Sequence, residues 1–176
     1  LVFVLPSIFI LHSLFCAPPG PPPNFEVTRD VAYAGTTNPK QTLDLFLPLA
    51  KAGKPRPLVI FIHGGGYIFG SSATPIYDGA ALARKGCVYV SVNYRLGALG
   101  FLHLEGLEDS GNLGVLDQLS ALRWVQRNVA SFGGDPANVT IFGESAGGAS
   151  VVTLLAAPGG AGLFHQAIAL SPSITQ

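Results

Sequence analysis

Charge is scarce in this sequence: Asp, Glu, Lys and Arg make up 11% of its 176 residues, 10 acidic against 10 basic, for a formal net charge of zero. No basic run exceeds the short stretch from Lys51 to Arg56. The continuous positive surface that nucleic acid requires is therefore missing, and nucleic acid is excluded as a partner. Cysteine is nearly absent as well. Cys16 and Cys87 cannot build a disulfide framework, and Cys87, opening an apolar strand-like run, reads as a small buried hydrophobe rather than a reactive thiol. Methionine is absent and tryptophan is represented only by Trp124, which the surrounding period assigns to the core.

Long uninterrupted apolar runs are also lacking. The nearest to one, Leu1 to Ala17, is interrupted by Pro6, Ser7, His12 and Ser13 and is too short to span a bilayer. Followed by the proline-rich stretch Pro18 to Pro23, it reads as an apolar leader and linker over residues 1–23, with residues 24–176 as the folded portion. That leader implies a secreted or exported protein. It has no starting Met, no basic residue ahead of the apolar stretch, and Phe15 two places before Ala17. A buried N-terminal strand is the competing reading.

Against the low charge stands a hydrophobic content of 48%, which predicts an ordered, sheet-rich chain with a sizeable core. Past the linker, strand and helix signals alternate. Val27 to Tyr33 and Thr42 to Leu47 read as strands separated by a turn near Thr36 to Pro39. Pro57 to Ile62 is a continuous apolar run, as in a strand covered on both faces. A helix over Ile76 to Lys85, a strand over Val88 to Asn93 and a loop from Tyr94 to Gly111 follow. Leu116, Leu119, Leu122, Val125, Val129 and Phe132 then step by three or four, predicting a helix over Leu113 to Phe132. A strand over Val139 to Phe142, a helix to Ala157 and a strand over Gln166 to Leu170 complete six strands. The fold class this predicts is α/β, a mostly parallel sheet with helices on both faces.

Two glycine motifs sit at the carboxyl ends of predicted strands, the edge where chemistry gathers in such sheets. Gly143-Glu144-Ser145-Ala146-Gly147 lies between the strand ending at Phe142 and the following helix. A Gly-x-Ser-x-Gly turn in that position strains the Ser backbone and lifts its hydroxyl beside a helix N-terminus, which makes Ser145 a nucleophile candidate. With 22 Gly in the chain the pentapeptide arises by chance in about one of five or six such sequences. Context has to decide. His63-Gly64-Gly65-Gly66 follows another strand, and its chance frequency is about one in a hundred. The two motifs complement each other chemically. Ser attack on a carbonyl needs donors aimed at the developing oxyanion, and bare glycine N–H groups, with the N–H of Ala146, would supply them.

The stretches Asn93-Tyr94-Arg95-Leu96-Gly97, Asn112-Leu113-Gly114, Asp117-Gln118, Ala121-Leu122-Arg123-Trp124-Val125, Phe132-Gly133-Gly134-Asp135-Pro136 and Asn138 through Gly148 closely resemble the type-B carboxylesterases. These are α/β-hydrolases, and the group includes the cholinesterases. With Leu163-Phe164-His165 and Ala167-Ile168, the resemblance covers roughly residues 57–172. It implies an α/β-hydrolase fold and serine-dependent hydrolysis of small carboxylic esters with no cofactor or metal. It further implies Ser145 as nucleophile and an oxyanion hole at Gly65, Gly66 and Ala146, with Gly64 and Glu144 lining the pocket. For Glu144 an electrostatic and a structural role both fit. The segment Gln41-Thr42-Leu43-Asp44-Leu45-Phe46-Leu47-Pro48 departs from that family and looks more like the smaller acetyl esterases and hormone-sensitive-lipase relatives.

The fold's usual order is Ser, then Asp or Glu, then His. After Ser145 the sequence holds no acid and one histidine, His165, which precedes its strand and so falls at the wrong edge of the sheet. His63 reads as a loop-orienting residue. His103, Glu105, Glu108 and Asp109 fall on the correct face, with nothing in their spacing to single them out. Asp135 shapes the entry to its strand, and Asp117, near the start of its helix, has Arg123 as an expected partner. The sequence therefore reads as the amino-terminal portion of a catalytic domain, ending after about the sixth core strand, inactive alone. Gln166 to Leu170 is then expected to be an apolar, unpaired edge inviting self-association. Two alternatives stand beside an esterase: a noncatalytic cholinesterase-like binding module, which intact Ser145 argues against, and a peptidase or acyltransferase of the same fold.

Overall fold

The structure is a computed structural model that describes residues 2–5, 24–49, 53–107 and 110–172. Among these, seven strands form one sheet: β1 (Val2–Leu5), β2 (Phe25–Ala32), β3 (Thr42–Pro48), β4 (Arg56–Ile62), β5 (Val88–Val92), β6 (Gly134–Glu144) and β7 (Gln166–Leu170). Their spatial order is β1-β7-β6-β4-β5-β3-β2. The β2–β3 and β3–β5 pairs are antiparallel and all others are parallel. The four α-helices are α1 (Ala80–Arg84), α2 (Gly97–Phe101), α3 (Leu113–Asn128) and α4 (Ala146–Ala156). None is long and apolar enough to cross a membrane.

Strand residues alternate between faces, and both faces are apolar. On one, Leu43, Leu45, Leu58, Ile60, Ile62, Val90 and Ile141 pack with Leu122 and Val125 of α3 and Val151 and Leu154 of α4. On the other, Phe46, Phe61 and Tyr89 pack with Ala83 of α1. Helices therefore cover both faces, as the continuous apolar runs predict. Most of these side chains are fully buried, each contributing about 1.5–3 kcal/mol relative to exposure.

Three elements differ from the periodicity. The helix expected over Ile76 to Lys85 is a 3-10 turn, Pro75–Tyr77, followed by the short α1. Gly79 separates them, and a Cβ there would lie 2.0 Å from the Tyr89 ring, so the chain passes too close to β5 for a side chain. The long helix stays α-helical only to Asn128 and tightens to 3-10 over Val129–Phe132 before Gly133 ends it with φ of 77°. The loop after Tyr94 contains α2.

The expected unpaired edge at Gln166–Leu170 is corrected. Val2–Leu5, assigned from sequence to the leader, runs parallel to β7 with Val2 opposite Ala167 and Leu5 opposite Leu170. An exposed apolar strand carries a row of unpaired N–H and C=O groups, and a short β-prone segment satisfies them. Pairing between segments so distant in sequence leaves no local pattern. The described sheet is thus bounded by β1 and β2, and the open edge on this side belongs to a four-residue strand rather than to β7. Removing residues 1–23 re-exposes β7, and the shortened chain is expected to self-associate more than the 176-residue chain in sedimentation velocity. Identical monomeric profiles for both would contradict the protective role of β1.

Candidate active site

The first motif occupies the passage from β6 to α4. Ser145 lies between Glu144 and Ala146 with φ of 57° and ψ of −120°, a left-handed value that is rare outside glycine. Such strain costs about 1–3 kcal/mol and persists only where the surroundings enforce it. The surroundings here are backbone. A Cβ on Gly147 would lie 2.0 Å from the Ile62 carbonyl oxygen, one on Gly143 would meet Gly147 O at 2.4 Å, and one on Gly148 would meet Leu170 O at 2.7 Å. Helix α4 is therefore pressed onto the ends of β4 and β7 at distances that only glycine permits. The Ser145 N–H donates to Leu170 O at 3.0 Å, fixing the turn from below. Its side chain makes no capping bond to α4 and is half-buried, so the hydroxyl is not consumed by the fold.

The second motif reaches the same place because β4 and β6 are parallel neighbours with Ile62 opposite Gly143. Gly64, the first glycine after His63, leans on the turn: a Cβ there would lie 2.8 Å from Glu144 O and 3.5 Å from the Ser145 Cβ. Gly65 and Gly66 then take positive φ values of 105° and 61°. Gly65 O accepts from Ile68 N at 3.0 Å and Phe69 N at 3.2 Å, closing the loop. Among the described residues, the N–H groups of Gly65, Gly66 and Ala146 find no protein acceptor, the last as expected at the first position of a helix. An apolar groove of about 330 Å³ opens beside Gly66, walled by Tyr67, Ile68, Ala98, Phe101 and Leu102. A second cleft, of about 430 Å³ and bordered by Arg56 and Arg84, lies at the start of β4, the opposite end of the sheet from Ser145.

His63 is a support for this loop. It is fully buried and its Nδ1 donates to the Gly64 carbonyl at 2.8 Å. Its ring stacks on Tyr94 at 4.5 Å and 18°, and the Tyr94 hydroxyl donates to His63 O at 2.7 Å. Gly70 passes so near that a Cβ would touch the imidazole at 2.5 Å. Nε2 is buried and finds no hydrogen-bond partner among the described residues. Burial lowers the His63 pKa below its ordinary 6.5, more than the Gly64 hydrogen bond raises it.

The remaining sequence candidates scatter. Glu144 exposes its carboxylate beside Gly64. His165 lies at the amino-terminal end of β7, where its N–H donates to Val139 O at 2.8 Å and its Nδ1 accepts from Val139 N at 3.3 Å. His103 faces Ser110 at 3.3 Å, and Glu108 and Asp109 lie outside the described residues. Asp135, expected in the loop ahead of its strand, lies inside β6 near its start and accepts from Ala137 N at 2.9 Å. The partner expected for Asp117 is corrected: Arg95, not Arg123, grips it through Nε and a terminal nitrogen, both at 2.7 Å. Arg95 comes from the segment after β5, and helical spacing within α3 could not reveal it. Sequence reasoning also missed Tyr67 and Ser150, whose hydroxyls meet at 3.3 Å, since no local pattern marks either.

The His63 environment gives a pH prediction. Because its folded pKa lies below the unfolded 6.5, the unfolded chain takes up the proton first. The stability tied to neutral His63 is thus complete above 6.5 and declines as pH falls toward the folded pKa, by at most about 1.4 kcal/mol per unit. His63→Gln should flatten that part of the slope between pH 7 and 5 in denaturant melts. Parallel wild-type and variant curves would contradict the assignment.

The Carboxylesterase family model matches residues 39–176. Para-nitrobenzyl esterase of Bacillus subtilis is 52% identical over 65% of this chain and 24% of its own length. Fumonisin B1 esterase of Sphingopyxis macrogoltabida is 41% identical over 90% of the chain and 34% of its own length. Cocaine esterase of Oryctolagus cuniculus is 45% identical over 84% and 26%. The chain thus spans between 24% and 34% of the length of these relatives. In structure, a crystallised carboxylesterase of Geobacillus stearothermophilus superposes with a TM-score of 0.68 at 51% identity, covering 72% of this chain and 29% of that one. The family match over residues 39–176 and the structural superposition at 51% identity show that the chain belongs to the carboxylesterase family of α/β-hydrolases.

Proposed function

We propose that this chain forms the nucleophile and oxyanion-hole portion of a serine carboxylic-ester hydrolase. The observation that carries the proposal is the close approach of Gly64 to the Glu144–Ser145 turn, where an added Cβ would lie 3.5 Å from the Ser145 Cβ; it sets a strained, uncapped serine beside a loop whose next two amides have no protein acceptor among the described residues. Ser145 Oγ attacks the ester carbonyl, and the oxygen that becomes negative is received by the N–H groups of Gly65, Gly66 and Ala146. Each such donor contributes about 3–4 kcal/mol to the barrier reduction when it is aimed at the developing charge. The Ala146 donor also stands at the positive end of α4, which favours the anion further. Collapse expels the alcohol and leaves an acyl group on Ser145, which water then hydrolyses. Gly64 and Glu144 border the reacting atoms, and the groove beside Gly66 accepts an apolar part of the ester.

The attack needs a base for the serine proton. His63 cannot serve, since its Nδ1 is held by Gly64 O and the ring is buried between Tyr94 and Gly70. His165 stands at the far end of β7. The relatives are much longer than the span this chain matches, and we propose that the base and its orienting carboxylate lie in polypeptide outside these 176 residues.

In the full-length protein, Ser145→Ala is expected to lower nitrophenyl-ester hydrolysis by about four to six orders of magnitude and to abolish fluorophosphonate labelling. Retained hydrolysis and labelling would refute the nucleophile assignment.

A further inference from the structure

The glycine loop is tied to the nucleophile helix through one side chain. Tyr67 directly follows Gly66 and is one of few non-glycine residues with positive φ, at 62°. Three contacts hold it there. Its carbonyl accepts from Gly97 N at 2.7 Å, its ring packs on Phe101 at 4.8 Å, and its phenol oxygen accepts from the Ser150 hydroxyl at 3.3 Å. Ser150 lies on α4, the helix that begins beside Ser145, and is fully buried. It in turn accepts from Gln118 Nε2 of α3 at 3.0 Å. A chain of hydrogen bonds thus runs from α3 through α4 to the residue adjoining Gly66.

The Gly66 amide lies in the peptide plane between Gly65 and Gly66, and Tyr67 anchors the chain where it leaves Gly66; a left-handed tyrosine stays so only while its surroundings hold it. Helix α4 is fixed against β4 by Gly147, so the phenol is referenced to the same rigid element as Ser145. Burial raises the phenol pKa above its ordinary 10, so it stays neutral and keeps its acceptor role throughout the working range. We propose that Tyr67 is a positioning residue: its phenol, anchored through Ser150, fixes the spacing and aim of the glycine-loop amides relative to the serine hydroxyl. This rests on the reading of Ser145 and the glycine loop as the hydrolytic site.

The test compares Tyr67→Phe, Ser150→Ala, their combination and Ser145→Ala in the full-length protein, with kcat and KM on a nitrophenyl ester and the rate of phosphonate inactivation. Tyr67→Phe removes one oxygen and leaves the ring on Phe101. Ser150→Ala cuts the same link from the helix side, together with the bond from Gln118, without touching the loop. Each single change is expected to lower kcat and the inactivation rate about 10- to 100-fold with KM within about twofold, since a small misplacement acts on the transition state. The double variant should be no worse than the singles, because one link is being cut twice. Unchanged kcat in both singles, alongside an inactive Ser145→Ala, would overturn the positioning role while sparing the functional reading. A rise in KM at constant kcat would overturn it too, by making Tyr67 a simple substrate contact. Persistent activity in Ser145→Ala would overturn the underlying reading and this inference with it.

Discussion

The Ile62 carbonyl sits where a Cβ on Gly147 would have to be, 2.0 Å away, and this backbone-to-backbone approach organises everything around it. It requires glycine at the second position of α4, and the chain enters that helix through a left-handed residue, Ser145. The approach follows from parallel pairing, which sets Ile62 beside Gly143 and so delivers the end of β4 and the end of β6 to one edge. Apolar burial on both sheet faces holds the two strands in register. The strain at Ser145, about 1–3 kcal/mol, is small against the burial of Ile60, Ile62 and Ile141 alone.

Around this contact the loops are fixed by buried polar groups whose partners are far apart in sequence. Asp117 accepts from Arg95 twice at 2.7 Å, from the Arg95 N–H at 3.0 Å and from Gln41 at 2.8 Å. Asp117 is buried and Arg95 only partly so, and removing Arg95 leaves a buried carboxylate without its cation. Asp44, Ser72 and Asn93 form a second set, with Ser72 Oγ donating to Asp44 at 2.9 Å and receiving from Asn93 at 2.8 Å. These networks pin the loops after β4 and β5, and His63, stacked on Tyr94, joins the two loops beneath the glycines. Hydrogen bonding thereby orders segments that contain little regular structure.

How much of this the sequence discloses depends on whether the cause is local. Strands β3 to β7 follow from apolar runs, and Ser145 and Gly64 to Gly66 follow from glycine spacing at strand ends, because a tight turn writes its own requirement into neighbouring residues. The break at Gly79 is not legible, since its cause is the Tyr89 ring on another strand. Arg95 as partner of Asp117, the Tyr67–Ser150 contact and the pairing of Val2–Leu5 with β7 share that character. Each joins residues well apart in sequence, and apolar period carries no record of such pairings. The left-handed backbone of Tyr67 is the clearest case, for tyrosine offers no intrinsic reason to adopt it.

The central proposal is that three amides without protein acceptors among the described residues form the oxyanion hole of a Ser145 nucleophile. The most direct test is a crystal structure of the full-length protein after reaction with an aryl phosphonate. The account predicts phosphorus bonded to Ser145 Oγ and the phosphoryl oxygen about 2.7–3.1 Å from the N–H groups of Gly65, Gly66 and Ala146. A phosphonyl group on another residue, or a phosphoryl oxygen turned away from those amides, would contradict it.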